Sequence, residues 1–154
     1  SPYLGRIDPK QVAVSGFSCG GVQAIAAASD PRVATGVFMN TGLFDSGTSP
    51  MRGMDVSKEA LKALHTPVLY ILGGPTDIAY KNGMDDFQRI SHVAVAVANL
   101  DVGHGGTYFQ PNGGEAASVA VSWLQWQLRG DEKAKARFGK AIKRLSARKK
   151  AAAE

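Results

Sequence analysis

The sequence predicts an α/β fold, in which a parallel sheet of about four strands is flanked by helices. Short runs rich in β-branched residues alternate with segments whose apolar residues recur every three or four positions. The run Val68–Leu72 is apolar throughout, as is typical of a strand that helices cover on both faces of a sheet. This repeated alternation favours parallel strands joined by right-handed crossovers.

The predicted elements follow one another in a regular order. The first strand covers Gln11–Ser15 and leads through a Gly-containing turn into an Ala-rich helix at Val22–Ala28. Further strands are predicted at Thr35–Asn40, Val68–Leu72 and Val93–Leu100, and helices at Met84–Ile90 and Glu115–Arg129, with a short helix that Ser57 caps and Pro67 ends.

Residues 1–130 are predicted to form one domain, and residues 131–154 a basic helical tail. The chain has 154 residues and a formal net charge of +5, but its last 24 residues alone hold nine Lys or Arg against three Asp or Glu. The charge therefore belongs to the tail, and no motif accompanies it that would predict a nucleic-acid partner. The spacing of Phe138, Ile142 and Leu145 predicts that one apolar side of the tail helix docks on the domain.

Composition argues against several other classes of protein. The apolar run Val93–Leu100 is far shorter than a membrane helix, and no signal-peptide pattern opens the sequence. We therefore expect a soluble protein without a membrane partner, in a compartment that the sequence leaves open. Cys19 is the only cysteine, which excludes an intramolecular disulfide and a zinc ribbon.

The segment Gly16-Phe17-Ser18-Cys19-Gly20 matches the G-x-S-x-G pattern of a nucleophile elbow. It lies between a predicted strand and a predicted helix, where glycines relieve the crowding of a sharp turn that lifts a serine hydroxyl above the sheet. Ser18 is the predicted nucleophile, and the backbone N–H of Cys19 the predicted oxyanion donor. We expect the Cys19 side chain to be small, buried support for the turn. The plainer alternative is a Gly-rich turn with an incidental serine.

His104 is the histidine best placed to act as the base for Ser18. Functional groups of a parallel sheet gather at the carboxyl ends of its strands. His65 and His92 precede their predicted strands, which puts them at the opposite end, whereas His104 follows its strand within the Gly-rich segment Val102–Gly106. A surface histidine in a glycine turn is the alternative interpretation.

Two aspartates compete for the role of the acid that would orient His104. Asp77 and Asp45 each lie five residues beyond the end of a predicted strand. Both also give the chain order Ser, acid, His that α/β-hydrolases use. Spacing alone leaves this choice open, and either residue could instead be a loop-capping carboxylate.

Three motifs carry a resemblance to a known family. Residues 11–130 resemble the last four strands of the α/β-hydrolase fold, and the segments VAVSGFSCGG, LYILGGPTDIAY and NLDVGHGGTY are similar to the dienelactone-hydrolase-related branch of serine esterases. The resemblance implies Ser18 as nucleophile, His104 as base and Asp77 as acid. It further implies hydrolysis of a small-molecule carboxylic ester through an acyl-enzyme, without a metal or an organic cofactor.

Aromatic and apolar residues in the predicted loops could shape an acyl pocket. We expect Phe17, Ile78 and Tyr108 to contact the substrate, with Phe44 and Tyr80 as further candidates. About half of this set is expected to belong to the core instead.

The sequence departs from the family pattern before the elbow. Entire α/β-hydrolases have four strands there, whereas only 17 residues precede Ser18. We therefore expect an N-terminally truncated fold without the second oxyanion donor, whose loss typically costs on the order of a hundred- to a thousandfold in turnover. An unpaired edge on the first strand predicts self-association or a complementing N-terminal fragment. The alternative function is a non-catalytic hydrolase fragment that serves as an assembly or interaction module.

Overall fold

The computed structural model describes residues 1–50, 53 and 55–139. Within these residues it contains a parallel sheet of four strands, which lie side by side in chain order. The strands are β1 (Val12–Phe17), β2 (Val33–Met39), β3 (Val68–Leu72) and β4 (Val95–Asn99), and the α-helices are α1 (Cys19–Ala27), α2 (Tyr80–Arg89), α3 (Gly114–Arg129) and α4 (Glu132–Ala136). Short 3₁₀ helices cover Lys58–Ala63 and Pro111–Gly113. The predicted α/β fold is confirmed.

Strand β3 lies at the centre of the packing. Its residues alternate between the two faces of the sheet, with Tyr70 and Leu72 in the cluster beneath α1 and α2, and Leu69 and Ile71 in the cluster beneath α3. Because helices cover both faces, every residue of β3 is buried. This explains the uninterrupted apolar run.

Two predicted boundaries shift for identifiable reasons. Strand β1 continues to Phe17, which pairs with Met39 at the end of β2. Helix α2 begins at Tyr80, so that Asn82-Gly83 lies inside the helix instead of forming a turn before it. A Cβ on Gly83 would stand 2.6 Å from a Leu72 methyl carbon, so this glycine serves close packing of α2 on β3.

A buried hydrogen bond helps to fix α3 on the sheet. The indole N–H of Trp123 donates to Thr35 Oγ1 over 2.8 Å, and the Thr35 hydroxyl donates to the carbonyl of Pro67. Phe138, just beyond α4, packs edge-on against Trp123 with ring centroids 5.2 Å apart. The start of the predicted tail thus docks by an aromatic residue, whereas Ile142 and Leu145 lie outside the described residues.

The outer edge of β1 pairs with no other strand among the described residues. A groove of about 620 Å³ runs beside it between residues 6–11 and α3, and a second of about 390 Å³ lies on the other face, lined by Val12, Val14 and Val33 among others. Across the described part of the chain, no helix is long and apolar enough to cross a membrane.

Candidate active site

The carboxyl ends of the four parallel strands bring distant residues together. Ser18 directly follows β1 and Asn40 directly follows β2, while Asp77 and His104 lie in the loops after β3 and β4. Parallel strands place these four positions at one edge of the sheet, as the topology argument requires.

Ser18 occupies a strained turn between β1 and α1. Its φ of 53° lies in the left-handed region, which non-glycine residues rarely adopt. The turn is tight enough that a Cβ on Gly16 would lie 2.0 Å from the carbonyl oxygen of Gly20. Thr41, in the loop after β2, stabilises the turn, because its hydroxyl donates to the Ser18 carbonyl over 2.8 Å. Such local strain is typical of functional positions.

His104 forms hydrogen bonds with both Ser18 and Asp77. Its Nε2 lies 3.0 Å from Ser18 Oγ, and its Nδ1 lies 2.6 Å from Asp77 Oδ1. An ionised carboxylate can only accept, so Nδ1 carries the proton and Nε2 accepts from the serine hydroxyl. The structure therefore joins the three predicted residues in one chain of hydrogen bonds.

The Asp77 carboxylate is buried and accepts hydrogen bonds at both oxygens. Oδ1 accepts from His104 and from the Ala79 N–H, and Oδ2 accepts from the Gly73 N–H and the Asn40 side chain. Burial alone raises the pKa of Asp77, but these hydrogen bonds together outweigh it and hold the pKa below its ordinary value. The carboxylate is thus kept ionised beside the imidazole.

The loops after β3 and β4 are packed backbone to backbone. The Gly103 N–H donates to the Gly73 carbonyl over 2.7 Å, and a Cβ on Gly73 would lie 2.0 Å from the Gly103 carbonyl oxygen. Gly103 has a φ of 73°, in the region that favours glycine. These glycines allow the loop that bears His104 to approach the loop that bears Asp77.

Asn40 belongs to the site although the sequence reasoning did not name it. Its side chain is buried and hydrogen-bonds to Asp77 Oδ2, to the Gly103 carbonyl and to the Tyr108 hydroxyl. The available signal was its position: it is a polar residue at the last predicted position of a buried strand. The same argument that placed His104 at this edge applies to it.

The other aspartate and histidines considered from the sequence lie away from this chain of hydrogen bonds. Asp45 is exposed and its carboxylate lies 3.6 Å from the Arg89 guanidinium. His65 and His92 lie at the opposite end of the sheet, where their Nε2 atoms contact the carbonyls of Asp30 and Leu64.

A cleft of about 290 Å³ opens beside Ser18 and His104. Its walls include Phe44 and Ile78, and Ile78 is 83% exposed. Phe17 and Tyr108 do not line this cleft; the Phe17 ring instead lies 5.3 Å from the His104 ring and 5.4 Å from that of Tyr108, between centroids. Tyr80 packs against the core.

Cys19 is the first residue of α1, and its side chain does not have the predicted environment. It is exposed and lies in the lining of the cleft, so the expectation of a buried support was wrong. The turn is supported instead by close backbone packing around Gly16. Among the described residues, His, Cys, Asp and Glu side chains form no group of three or more able to hold a metal ion.

The fold is similar to those of several solved hydrolases. Acetyl xylan esterase 1 from Thermoanaerobacterium sp. JW/SL YS485 matches with a TM-score of 0.58 and 19% identity, over 77% of this chain and 46% of the esterase. The acylaminoacyl peptidase of Pyrococcus horikoshii matches with a TM-score of 0.59 and 13% identity, over 80% of this chain and 25% of the peptidase.

A candidate dienelactone hydrolase from Klebsiella pneumoniae subsp. pneumoniae MGH 78578 matches with a TM-score of 0.56 and 15% identity, over 83% of this chain and 56% of that protein. The chain thus spans between 25% and 56% of the length of these three proteins. No protein-family model and no curated sequence matches it. At these identities the likeness concerns the fold alone: this chain has an α/β architecture similar to part of each of these hydrolases.

Proposed function

We propose that this chain is the catalytic part of a serine hydrolase that cleaves carboxylic esters through an acyl-enzyme on Ser18. The observation that carries the proposal is the chain of hydrogen bonds from Ser18 Oγ through His104 to the buried Asp77. Ester hydrolysis needs an activated nucleophile, and a serine hydroxyl becomes one when a positioned base accepts its proton.

The proposed reaction has two halves. Ser18 Oγ attacks the ester carbonyl while its proton moves to His104 Nε2, and the resulting imidazolium is stabilised by the negative charge of Asp77. His104 then gives that proton to the leaving alcohol, which departs and leaves an acyl group on Ser18. A water molecule gives a proton to the same nitrogen and attacks the acyl group. The bond between the acyl carbon and Ser18 Oγ then breaks, His104 returns the proton to Ser18 Oγ, and the acid is released.

The start of α1 supports the charge that forms on the substrate. Cys19 is the first residue of this helix and lies beside Ser18 in the cleft. The N–H groups of a first helical turn point along the helix axis, where the helix dipole also favours negative charge. The Cys19 N–H is therefore the proposed oxyanion donor, as in other strand-to-helix nucleophile turns.

The cleft favours a small acyl group with apolar contact. Its volume of about 290 Å³ lies near the lower end of the range for ligand pockets. Ile78 and Phe44 in its walls offer apolar surface for the acyl chain. We propose Ile78 as a substrate contact, whereas Phe17 and Tyr108 would influence the substrate mainly through the His104 side of the site.

Labelling with a fluorophosphonate tests the proposal. This reagent phosphonylates an activated serine, and intact mass followed by peptide mapping identifies the residue. We expect one label, on Ser18, and none in Ser18→Ala or His104→Ala. Ser29→Ala is the matched control, because Ser29 lies beyond the end of α1 and bonds only locally to the Ala26 carbonyl. Undiminished labelling or p-nitrophenyl acetate turnover in Ser18→Ala would end the proposal.

A second candidate function is a non-catalytic module that associates through its sheet edge. The observation in its favour is the outer edge of β1, which pairs with no strand among the described residues and is flanked by two grooves. Sedimentation velocity over a range of concentrations measures self-association, which Val12→Lys on this edge should weaken and Phe109→Lys in an exposed loop should not. Association without any fluorophosphonate label on Ser18 favours this second function.

A further inference from the structure

Asn40 has an unusual backbone conformation for a buried residue. It directly follows β2, is 1% exposed and has a φ of 45°, in the left-handed region. Residues with a Cβ adopt this conformation only at a steric cost, which asparagine tolerates better than most. Its N–H donates to the Ile71 carbonyl over 2.7 Å, so the turn is held to the sheet. This conformation directs the amide toward the loops that carry Asp77 and His104.

The Asn40 amide joins those two loops. Its Nδ2 donates to Asp77 Oδ2 over 2.9 Å and to the Gly103 carbonyl over 3.3 Å. Gly103 immediately precedes His104, which in turn donates to the other oxygen of the same carboxylate. A single amide nitrogen therefore constrains both members of the Asp77–His104 pair, one directly and one through its neighbouring peptide.

Tyr108 contributes to the orientation of the Asn40 amide. Its hydroxyl donates to Asn40 Oδ1 over 2.9 Å. Burial, together with the negative charge of Asp77, raises the pKa of this hydroxyl to about 12, so it remains a donor at neutral pH. The oxygen and nitrogen of an amide have nearly the same shape, so its partners fix the orientation: the Tyr108 hydroxyl donates to the oxygen, while Asp77 and the Gly103 carbonyl accept from the nitrogen.

We propose that Asn40 is a positioning residue for Asp77 and His104, and that Tyr108 acts through it by fixing the orientation of its amide. This inference rests on the proposed hydrolase function. It adds a residue that follows β2 to the three that follow β1, β3 and β4. Asn40 makes no bond to Ser18 Oγ in this arrangement; its contribution is to hold the carboxylate so that His104 keeps its orientation. In metal sites, removing a group that orients a ligand in this way typically costs about 10- to 100-fold in affinity or activity.

Two substitutions of Asn40 separate positioning from packing. Asn40→Gly removes the side chain without backbone strain, because glycine adopts a positive φ readily. Asn40→Asp keeps the shape and the acceptor for Tyr108 but places an oxygen against Asp77. We expect kcat for p-nitrophenyl acetate to fall about 10- to 100-fold in Asn40→Gly, with KM within about twofold. Asn40→Asp should lose more, because two carboxyl groups at this distance do not both ionise, and the proton that they hold reduces the negative charge beside His104. A packing role predicts the reverse order, with the isosteric variant less impaired, and that order would overturn the proposal.

A double-mutant cycle tests the part assigned to Tyr108. We expect Tyr108→Phe to lower kcat about tenfold in the wild-type background and to have no further effect in Asn40→Gly, since there is no amide left to orient. Additive losses would show that Tyr108 acts independently of Asn40 and would overturn this part of the proposal. Thermal unfolding of each variant verifies that the comparison is between folded proteins.

One spectroscopic measurement keeps this inference separate from the proposed function. The Nδ1 proton of His104, held by Asp77, gives a downfield proton resonance, which His104→Ala assigns. We expect Asn40→Gly and Asn40→Asp to shift or broaden this resonance, and an unchanged resonance in both would overturn the inference. The readout needs no turnover. Absence of fluorophosphonate labelling in the wild type would count against the hydrolase function, whereas normal labelling with wild-type kcat in both variants would count only against the role of Asn40.

Discussion

His104 donates its Nδ1–H to Asp77 Oδ1 over 2.6 Å, although the two residues are 27 positions apart in the chain, with all of α2 and β4 between them. The bond forms because consecutive parallel strands end at the same edge of the sheet, and because Gly73 and Gly103 let the two loops pack closely. Asp45, which has the same spacing from its predicted strand, instead lies beside Arg89. The relationship therefore depends on the path of each loop after its strand.

The first prediction concerns the choice between the two aspartates. Asp77→Asn should lower kcat for p-nitrophenyl acetate by about 10⁴-fold, because an amide favours the wrong imidazole tautomer and cannot stabilise the imidazolium. Asp45→Asn, which removes an exposed carboxylate, should leave kcat within about twofold. Steady-state kinetics of both variants at neutral pH make the comparison. Equal losses in the two variants would contradict the assignment of Asp77.

The second prediction links Asp77 to stability. Because its pKa is lowered in the folded chain, its ionised form stabilises the fold above the unfolded pKa, near 3.9, and this contribution disappears as the pH falls through the folded pKa. The free energy of unfolding of the wild type minus that of Asp77→Asn should therefore decrease from pH 6 to pH 3. Urea denaturation at each pH measures this difference. A difference that stays constant or grows on acidification would contradict the prediction.

The third prediction concerns the turn before the nucleophile. A Cβ on Gly16 would lie 2.0 Å from the Gly20 carbonyl oxygen, a backbone atom that cannot move without distorting the turn. A Cβ on Gly20, in contrast, would meet no atom within 4 Å in the described structure, apart from its own helix backbone and the adjacent residues. Gly16→Ala should therefore lose most fluorophosphonate labelling at Ser18 and lower the melting temperature. Gly20→Ala is the matched control and should fold normally, since alanine is favoured over glycine inside helices. Comparable labelling of the two variants would show that the turn does not require Gly16.

The fourth prediction concerns a buried ion pair beneath the cleft. Lys58 Nζ lies 2.7 Å from Asp86 Oδ1, and Asp86 Oδ2 accepts from the Leu43 N–H in the segment that leads to Phe44. Lys58→Met should destabilise the fold by about 3–5 kcal/mol at pH 7, because it leaves the fully buried carboxylate without its counter-ion.

Lys62→Met is the control for this fourth prediction. Lys62 forms an ion pair with Glu59 in which both side chains are largely exposed, so its loss should cost less than about 1 kcal/mol. Urea denaturation measures both variants. Burial raises the pKa of Asp86 even with Lys58 present. The loss of unfolding free energy in Lys58→Met should therefore become smaller as the pH is lowered from 7 toward 4. A loss of unfolding free energy as small as that of Lys62→Met would mean that the Asp86 carboxylate is stabilised without Lys58.

Much of the architecture could be predicted because its causes are local. Alternation of apolar runs with three- and four-residue periodicity identified the four strands, and the wholly apolar stretch at Val68–Leu72 matched β3 residue for residue. Helix α2 was predicted too short because Asn82-Gly83 is a common turn signal. Only the packing of α2 on Leu72 shows why glycine occupies a helical position there.

The sequence by itself determined which strand ends carry chemical groups, because a strand-to-helix glycine pattern and the position of His104 after its strand can both be read along the chain. Only the tertiary structure placed Asp77, and not Asp45, beside His104, brought Asn40 and Tyr108 into the same network, and left Cys19 exposed at the cleft. The physical reason is that a strand fixes where a loop begins but not where its side chains point. That direction is set by contacts between loops that are distant in sequence, such as the packing of Gly73 against Gly103.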